Sequence, residues 1–139
     1  MPGSKRWGGE PTVLAVIDSS ASVTVAMLAA ISAELRALSR YARVVVCECD
    51  TEIRRTYRYR EAIRTVVGRG GTDLRPPFSA DYLRRSCVEA VVVFSDGMGP
   101  APATPPSLPV LWVVLQPGRA PAAWGKVVCL RVEPHPAVA

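Results

Sequence analysis

The sequence predicts an α/β fold in three layers, with a doubly wound, mostly parallel sheet of six strands and one antiparallel edge strand. Two observations lead to this fold class. Several short apolar runs are typical of strands buried on both faces, as the strands of a parallel sheet are. Between these runs lie segments with helical periodicity or many turn-forming residues, which indicates that strands and helices alternate along the chain.

The first strand and the first helix follow each other directly. Residues 12–18, TVLAVID, form an apolar run that ends in an acid, and they predict a buried strand. The period then changes: Leu28, Ile31 and Leu35 recur at steps of three and four residues, on one stripe of a helix. We therefore expect a helix over residues 22–39.

A hairpin is expected next. Residues 43–50, RVVVCECD, predict the second strand, and TEIRRTYRYR follows after almost no connection. So short a link suits antiparallel pairing, and the many arginines suit an exposed edge strand. Residues 61–67 then predict a helical turn, and GRGGTD predicts a tight loop.

The second half of the chain continues the alternation. Two prolines at positions 76 and 77 mark the start of a helix over about residues 78–86. The segments VEAVVVFSDG, VLWVVL and KVVCLRV predict the fourth, fifth and sixth strands. A long proline-rich loop separates the fourth strand from the fifth.

Length and composition place these elements in one domain, since the chain has 139 residues of which 49% are hydrophobic. We expect a flexible arm over residues 1–11, a domain over residues 12–133 and a tail over residues 134–139. The apolar runs are shorter than the roughly 20 residues of a membrane helix. They also do not form a signal peptide, so we expect a cytoplasmic protein without membrane contact.

The cysteines do not predict a metal site. Cys47 and Cys49 lie in an apolar strand, Cys87 and Cys129 lie far away, and the sequence contains no CxxC pair. We expect small buried thiols in a reducing compartment. A zinc site is not expected, because the only histidine is His135, in the proline-flanked tail.

Three polar segments stand out: DSSAS after the first strand, GGTD in the central loop and SDG after the fourth strand. In a parallel sheet, the loops beyond the carboxyl ends of the strands meet at one edge. Asp18 and Asp96 would then lie together, and Ser20, Ser22 and Thr72 would complete a set of oxygen ligands. Such ligands favour Mg²⁺, with Mn²⁺ or Ca²⁺ as alternatives.

The five residues also carry a resemblance. The pattern D-x-S-x-S, followed by a threonine and then an aspartate, resembles the metal-ion-dependent adhesion site of the von Willebrand factor type A (VWA) domain. In addition, CDTEI, GGTDLRPPF, FSDG and PVLWVV resemble the VWA-like domain that ends a group of predicted bacterial metallopeptidases. This chain has no HExxH motif, so peptidase activity is not carried over.

The resemblance implies a VWA or Rossmann-like fold and a function without catalysis. Ser20 and Ser22 would bind the ion directly, Thr72 directly or through water, and Asp18 and Asp96 often through water. A partner protein would complete the shell with an Asp or Glu side chain. Many intracellular members of the family work beside MoxR-type AAA+ ATPases, which makes such an ATPase a candidate partner.

Other interpretations of these residues stay open. Asp18, Ser20 or Ser22 alone is also a good helix N-cap. Asp73 either caps the next helix or supports the site. A metal-dependent hydrolase, acting on phosphate esters or associated with peptidases, is an alternative function. A second alternative is nucleic-acid binding through the arginine- and tyrosine-rich edge strand, although an edge strand of this composition is more often only an exposed surface.

Overall fold

The computed structural model describes residues 10–19, 23–63, 65–68, 70–115 and 118–132. The elements in chain order are β1 (Thr12–Asp18), α1 (Val25–Leu38), β2 (Arg43–Cys49), β3 (Ile53–Arg58), a short 3-10 helix (Pro76–Phe78), α2 (Ala80–Ser86), β4 (Ala90–Ser95), β5 (Val110–Leu115) and β6 (Lys126–Leu130). The six strands form one sheet in the order β3-β2-β1-β4-β5-β6.

The sheet confirms the predicted fold class. All neighbouring strands are parallel except β3, which pairs antiparallel with β2 at one edge. From β1 the chain builds outward through β2 and β3 on one side, and it then returns to β4 and builds outward on the other side. The strand order therefore reverses between β1 and β4, the place where α/β sheets usually bind ligands.

Apolar side chains pack on both faces of the sheet and form two cores. On one face, α1 contributes Leu28, Ile31 and Leu35, which are at most 6% exposed. On the other face, α2 and the 3-10 helix cover a core that includes an aromatic cluster of Phe78 with two tryptophans, Trp112 and Trp124. Successive residues of β1 alternate between these cores, which explains why its whole apolar run is buried.

Local hydrogen bonds set the helix boundaries. The hydroxyl of Thr24 accepts the N–H of Met27 at 3.1 Å, so α1 starts at Val25, later than the predicted residue 22. Ser79 caps α2 in the same way. Asp73 is not a helix cap, because its carboxylate instead accepts hydrogen bonds from the main chain and guanidinium of Arg75.

The predicted helical turn over residues 61–67 is wrong for the residues described there, 61–63 and 65–67, which contain no helix. This segment bonds to distant partners instead of to itself. The N–H of Ile63 donates to the hydroxyl of Ser32 in α1 at 2.9 Å, and the N–H of Val67 donates to the carboxylate of Glu48 in β2 at 2.7 Å.

The expectation of four buried thiols is half wrong. Cys47 and Cys49, which we call the β2 thiols, are 0% exposed. Cys87 and Cys129, which we call the surface thiols, are exposed because one follows the end of α2 and the other lies on edge strand β6. None of the helices in the described residues is long and apolar enough to cross a membrane.

Candidate metal centre

The ends of β1 and β4 bring two predicted site residues to the point where the strand order reverses. These strands are parallel neighbours, with Ile17 opposite Phe94, so Asp18 and Ser95 come next on each strand. Asp96 follows Ser95 directly. The sheet therefore places Asp18 and Asp96 at the ends of adjacent strands, as the sequence predicted.

Asp18 is the central acid of this cluster and is only 2% exposed. The hydroxyl of Thr72 lies 3.2 Å from its Oδ1 and 3.4 Å from its Oδ2, although the two residues are 54 positions apart. The hydroxyl of Ser95 donates to Oδ2 at 3.0 Å. Three distant segments of the chain thus meet at one buried carboxylate.

Asp96 lies in a loop with a well-defined backbone. Its Oδ1 accepts the N–H of Met98 at 3.0 Å, and its main-chain carbonyl accepts the N–H of Arg119 at 3.1 Å. The same loop packs on the Thr72 segment, since a Cβ added to Gly99 would lie 2.7 Å from the Cβ of Thr72. The loops carrying Thr72 and Asp96 are therefore in direct contact.

Residues 13–131 match the family model described as VWA-like domain (DUF2201). The chain belongs to this family. Searches of curated proteins and of solved structures gave no match. Membership in the family supports the VWA-like fold that the sequence predicted.

The two serines predicted to bind the ion directly, Ser20 and Ser22, lie outside the described residues of this VWA-like domain. Their neighbour Ser19 is described. Its N–H donates to the carbonyl of Cys49 at 2.8 Å, which fixes the start of the DSSAS loop on the end of β2. Its hydroxyl is buried and has no hydrogen-bond partner within the described part of the chain.

The residues present fit a hard divalent ion. The carboxylate of Asp18 and the hydroxyls of Thr72 and Ser95 form a cluster of oxygen atoms, the donor type that Mg²⁺ and Ca²⁺ select over zinc, and Asp96 follows Ser95 directly in the chain. Within the described residues, no group of three or more His, Cys, Asp or Glu side chains is placed to hold a metal. A centre in this VWA-like domain would therefore depend on hydroxyl ligands.

One of the β2 thiols contacts the Thr72 loop. Cys49 lies under the Thr72 loop, with its sulfur 3.3 Å from the carbonyl oxygen of Asp73. Burial, followed by the charges of nearby residues including Asp50 and Asp18, raises its pKa far above the ordinary value. Hard ions such as Mg²⁺ prefer oxygen ligands to sulfur, so this cysteine is not a suitable ligand for them.

Sequence reasoning missed three polar residues of this region: Ser95, Glu48 and Asp50. Ser95 links the two loops, because its hydroxyl donates to Asp18 and accepts the N–H of Gly97 at 3.0 Å. Glu48 and Asp50 are acids that are 0% exposed. A signal for both acids was present in the sequence, since a carboxylate inside an apolar strand must find partners to be buried.

A groove elsewhere on the domain lies apart from this cluster. It has a volume of about 810 Å³ and lies between α1 and residues 59–63. Small side chains such as Ala29, Ala33 and Ala62 leave it open. None of the residues that line it belongs to the predicted metal centre.

Proposed function

We propose that this VWA-like domain is a protein-interaction module in which Mg²⁺ at the Asp18 cluster recognises an acidic side chain of a partner protein. The observation that carries the proposal is the convergence of Thr72 and Ser95 on the buried carboxylate of Asp18, with Asp96 next to Ser95. Mn²⁺ and Ca²⁺ are alternative ions, because they also prefer oxygen ligands.

The charges of the donor set explain why an acidic partner would bind. Neutral hydroxyls reduce the charge of a bound cation less than carboxylates do, so the ion keeps a strong attraction for one more anionic ligand. Ser20 and Ser22 would add two more neutral ligands. A carboxylate from a partner would then complete the shell and bind only when the metal is present.

The surface around the cluster favours contact with a protein. Two large apolar side chains on the loops that carry the cluster are exposed: Met98 by 72% and Val67 by 44%. Met98 lies two residues after Asp96, and Val67 precedes a glycine that packs on Ser19. Exposed apolar side chains that surround a polar centre are typical of interaction sites.

A non-catalytic role is part of the proposal. The hydrogen-bond partners described for Asp18 include the hydroxyls of Thr72 and Ser95. A lysine could act as a general base, but the one lysine among the described residues, Lys126, begins β6. It therefore lies at the amino edge of the parallel sheet, opposite the Asp18 cluster. Turnover of generic phosphate esters or peptides with Mg²⁺ or Mn²⁺, lost in Asp96→Ala, would instead support the hydrolase alternative.

The contacts of edge strand β3 favour a protein partner over nucleic acid. Arg54 bonds to Asp50 at 2.7 Å, and Arg55 bonds to Glu48 at 2.9 Å, so both guanidiniums already serve the domain itself. A MoxR-type AAA+ ATPase is the partner class suggested by the sequence resemblance. The proposal places the protein in the cytoplasm.

A metal titration tests the metal half of the proposal. At a concentration of 100 times its dissociation constant, Mg²⁺ should stabilise the fold by about 2.7 kcal/mol, measured as a shift in thermal unfolding. Thr72→Val should weaken the shift because it removes one hydroxyl at constant shape. Thr65→Val is the matched control, since Thr65 is exposed in the same loop. A melting curve that Mg²⁺ does not move would contradict the proposal.

A phage-displayed library of random peptides tests the partner half. Peptides captured in Mg²⁺ and released by EDTA should share an Asp or Glu, and replacing that residue by Asn or Gln should abolish binding. Enrichment that is the same with and without metal, or peptides without a common acid, would overturn the recognition of an acidic side chain.

A further inference from the structure

Consecutive residues at the carboxyl end of β2 hold the loops of the candidate metal centre. Glu48 accepts the N–H of Val67 at 2.7 Å, and the carbonyl of Cys49 accepts the N–H of Ser19 at 2.8 Å. Both holding residues are 0% exposed. The first bond fixes the segment that leads to Thr72, and the second fixes the start of the DSSAS loop.

Asp50 holds the Thr72 loop on both sides of the threonine. Its Oδ2 accepts the N–H of Gly70 at 3.3 Å, and its main-chain carbonyl accepts the N–H of Asp73 at 2.7 Å. Thr72 lies between these two points, and its hydroxyl reaches Asp18. The position of that hydroxyl therefore depends on where Asp50 holds the backbone.

The other oxygen of Asp50 fixes the carboxylate itself. Oδ1 accepts the N–H of Thr51 at 2.6 Å, the N–H of Glu52 at 3.2 Å and the Nε–H of Arg54 at 2.7 Å. These three donors and the positive charge of Arg54 offset the cost of burying the acid. The side chain is thus held in one orientation, with Oδ2 directed at the Thr72 loop.

We propose that Asp50 is the positioning residue of the metal centre: it holds the backbone on both sides of Thr72 so that the hydroxyl is directed at Asp18 before any ion binds. This inference rests on the proposed metal-binding function. Asp50 itself would not bind the ion. Residues that orient metal ligands in this way typically change metal affinity by about 10–100-fold when they are replaced.

Asp50→Asn is the decisive variant, because it keeps the shape of the side chain but leaves one acceptor oxygen. In one orientation the asparagine oxygen faces Arg54, and its NH₂ group then faces the N–H of Gly70. In the flipped orientation the NH₂ group faces Arg54 and the N–H groups of residues 51 and 52. Either way a donor faces a donor. Glu52→Gln is the matched control, since Glu52 is exposed and touches the same Arg54 at 3.7 Å.

Two measurements separate positioning from metal binding. The Mg²⁺ dissociation constant, from the thermal shift, should rise about 10–100-fold in Asp50→Asn and stay unchanged in Glu52→Gln. In metal-free protein, hydrogen exchange at the amide of Asp73 should accelerate about tenfold or more, even though that amide bonds to the main chain of Asp50. This result would show that the carboxylate holds the whole loop.

Each outcome decides a different statement. An unchanged Mg²⁺ dissociation constant in Asp50→Asn, or unchanged exchange at Asp73, overturns the positioning role. If wild-type protein shows no response to Mg²⁺, the proposed function fails, and the exchange result alone decides whether Asp50 holds the loop. Should Asp50→Asn not melt cooperatively, exchange in wild-type protein decides: Gly70 and Asp73 should be as protected as the amides of β2, and unprotected rates overturn the inference.

Discussion

A methyl group added at Gly97 should push apart two chain segments, the one around Asp96 and the one at residues 118–119, which pack on each other. Gly97 has φ of +84°, and a Cβ added there would lie 2.8 Å from the carbonyl carbon of Arg119 and closer still to its oxygen. Gly118 packs in the same way on the other side, where its Cβ would lie 2.6 Å from the carbonyl carbon of Asp96. The two segments meet backbone to backbone.

The cost of Gly97→Ala has two parts. A left-handed backbone conformation costs an alanine about 1–2 kcal/mol. Moving two segments of main chain apart adds about 1–3 kcal/mol, the range found when well-packed interiors are overfilled. The lower entropy of the unfolded chain returns about 0.4–1 kcal/mol, so we expect a net loss of about 1–5 kcal/mol.

Thermal unfolding followed by circular dichroism measures this loss. For a chain of 139 residues, 1 kcal/mol corresponds to about 3–4 °C in Tm, so Gly97→Ala should melt about 3–20 °C lower. It should also weaken any Mg²⁺-dependent shift, because Asp96 moves with the loop. Urea unfolding should give the same loss with an unchanged m-value.

Gly71→Ala is the matched control. Gly71 precedes Thr72 as Gly97 follows Asp96, but a Cβ at Gly71 meets nothing within 4 Å and its φ is not in the left-handed region. The control should therefore be neutral, or more stable by up to about 1 kcal/mol. If Gly97→Ala melts within about 2 °C of the wild-type protein, the close approach of the two segments is wrong.

Three further predictions follow from burial and charge. At pH 8 a disulfide reagent should react quickly with the surface thiols, and with the β2 thiols only when the protein unfolds. The reason is burial, which raises the pKa of Cys47 to about 11. Fast reaction of all four thiols would contradict this. Arg75 lowers the pKa of Asp73 below its ordinary 3.8, so their pairing stabilises the fold above about pH 4 and is lost as the pH falls through the lowered pKa. Asp73→Asn should accordingly cost less than about 1 kcal/mol in urea unfolding at pH 7 and nothing at pH 2, whereas an equal loss at both pH values would exclude the ion pair. Leu35→Ala should cost about 2–5 kcal/mol by the same assay, because Leu35 is 0% exposed between α1 and the sheet, while Glu34→Ala on the outer face should be nearly neutral.

Strands were the part of the fold that sequence reasoning predicted best. The predicted bounds of β1, residues 12–18, match Thr12–Asp18 because an apolar run that ends in an acid is a local signal. The placement of Asp18 and Asp96 at adjacent strand ends followed from a general rule of parallel sheets, and the strand order confirms it.

The failures came where distant contacts decide the structure. The residues 61–67 have a helical pattern, but the described ones bond to Ser32 and Glu48, which are about 30 and 20 positions away. No local pattern contains the partners of Ile63 and Val67, so the sequence alone did not identify them. Asp73 is a different case: its carboxylate bonds to Arg75, only two positions away, so it is not a helix cap, while its support of the metal site stays a prediction.

The arginine- and tyrosine-rich strand β3 has a structural explanation that its composition does not reveal. Arg55 bonds to Glu48 in β2, and Arg54 bonds to Asp50, the residue that follows β2; the hydroxyl of Tyr57 also donates to Glu48, at 2.5 Å. Because the acids Glu48 and Asp50 are 0% exposed, removing their partners would leave buried charges that are costly to keep. These arginines therefore allow one buried acid in β2 and another directly after it, and those two acids in turn hold the segments that lead to and flank Thr72. A pattern that resembles a nucleic-acid surface in the sequence thus supports, in the fold, the backbone on which Thr72 depends.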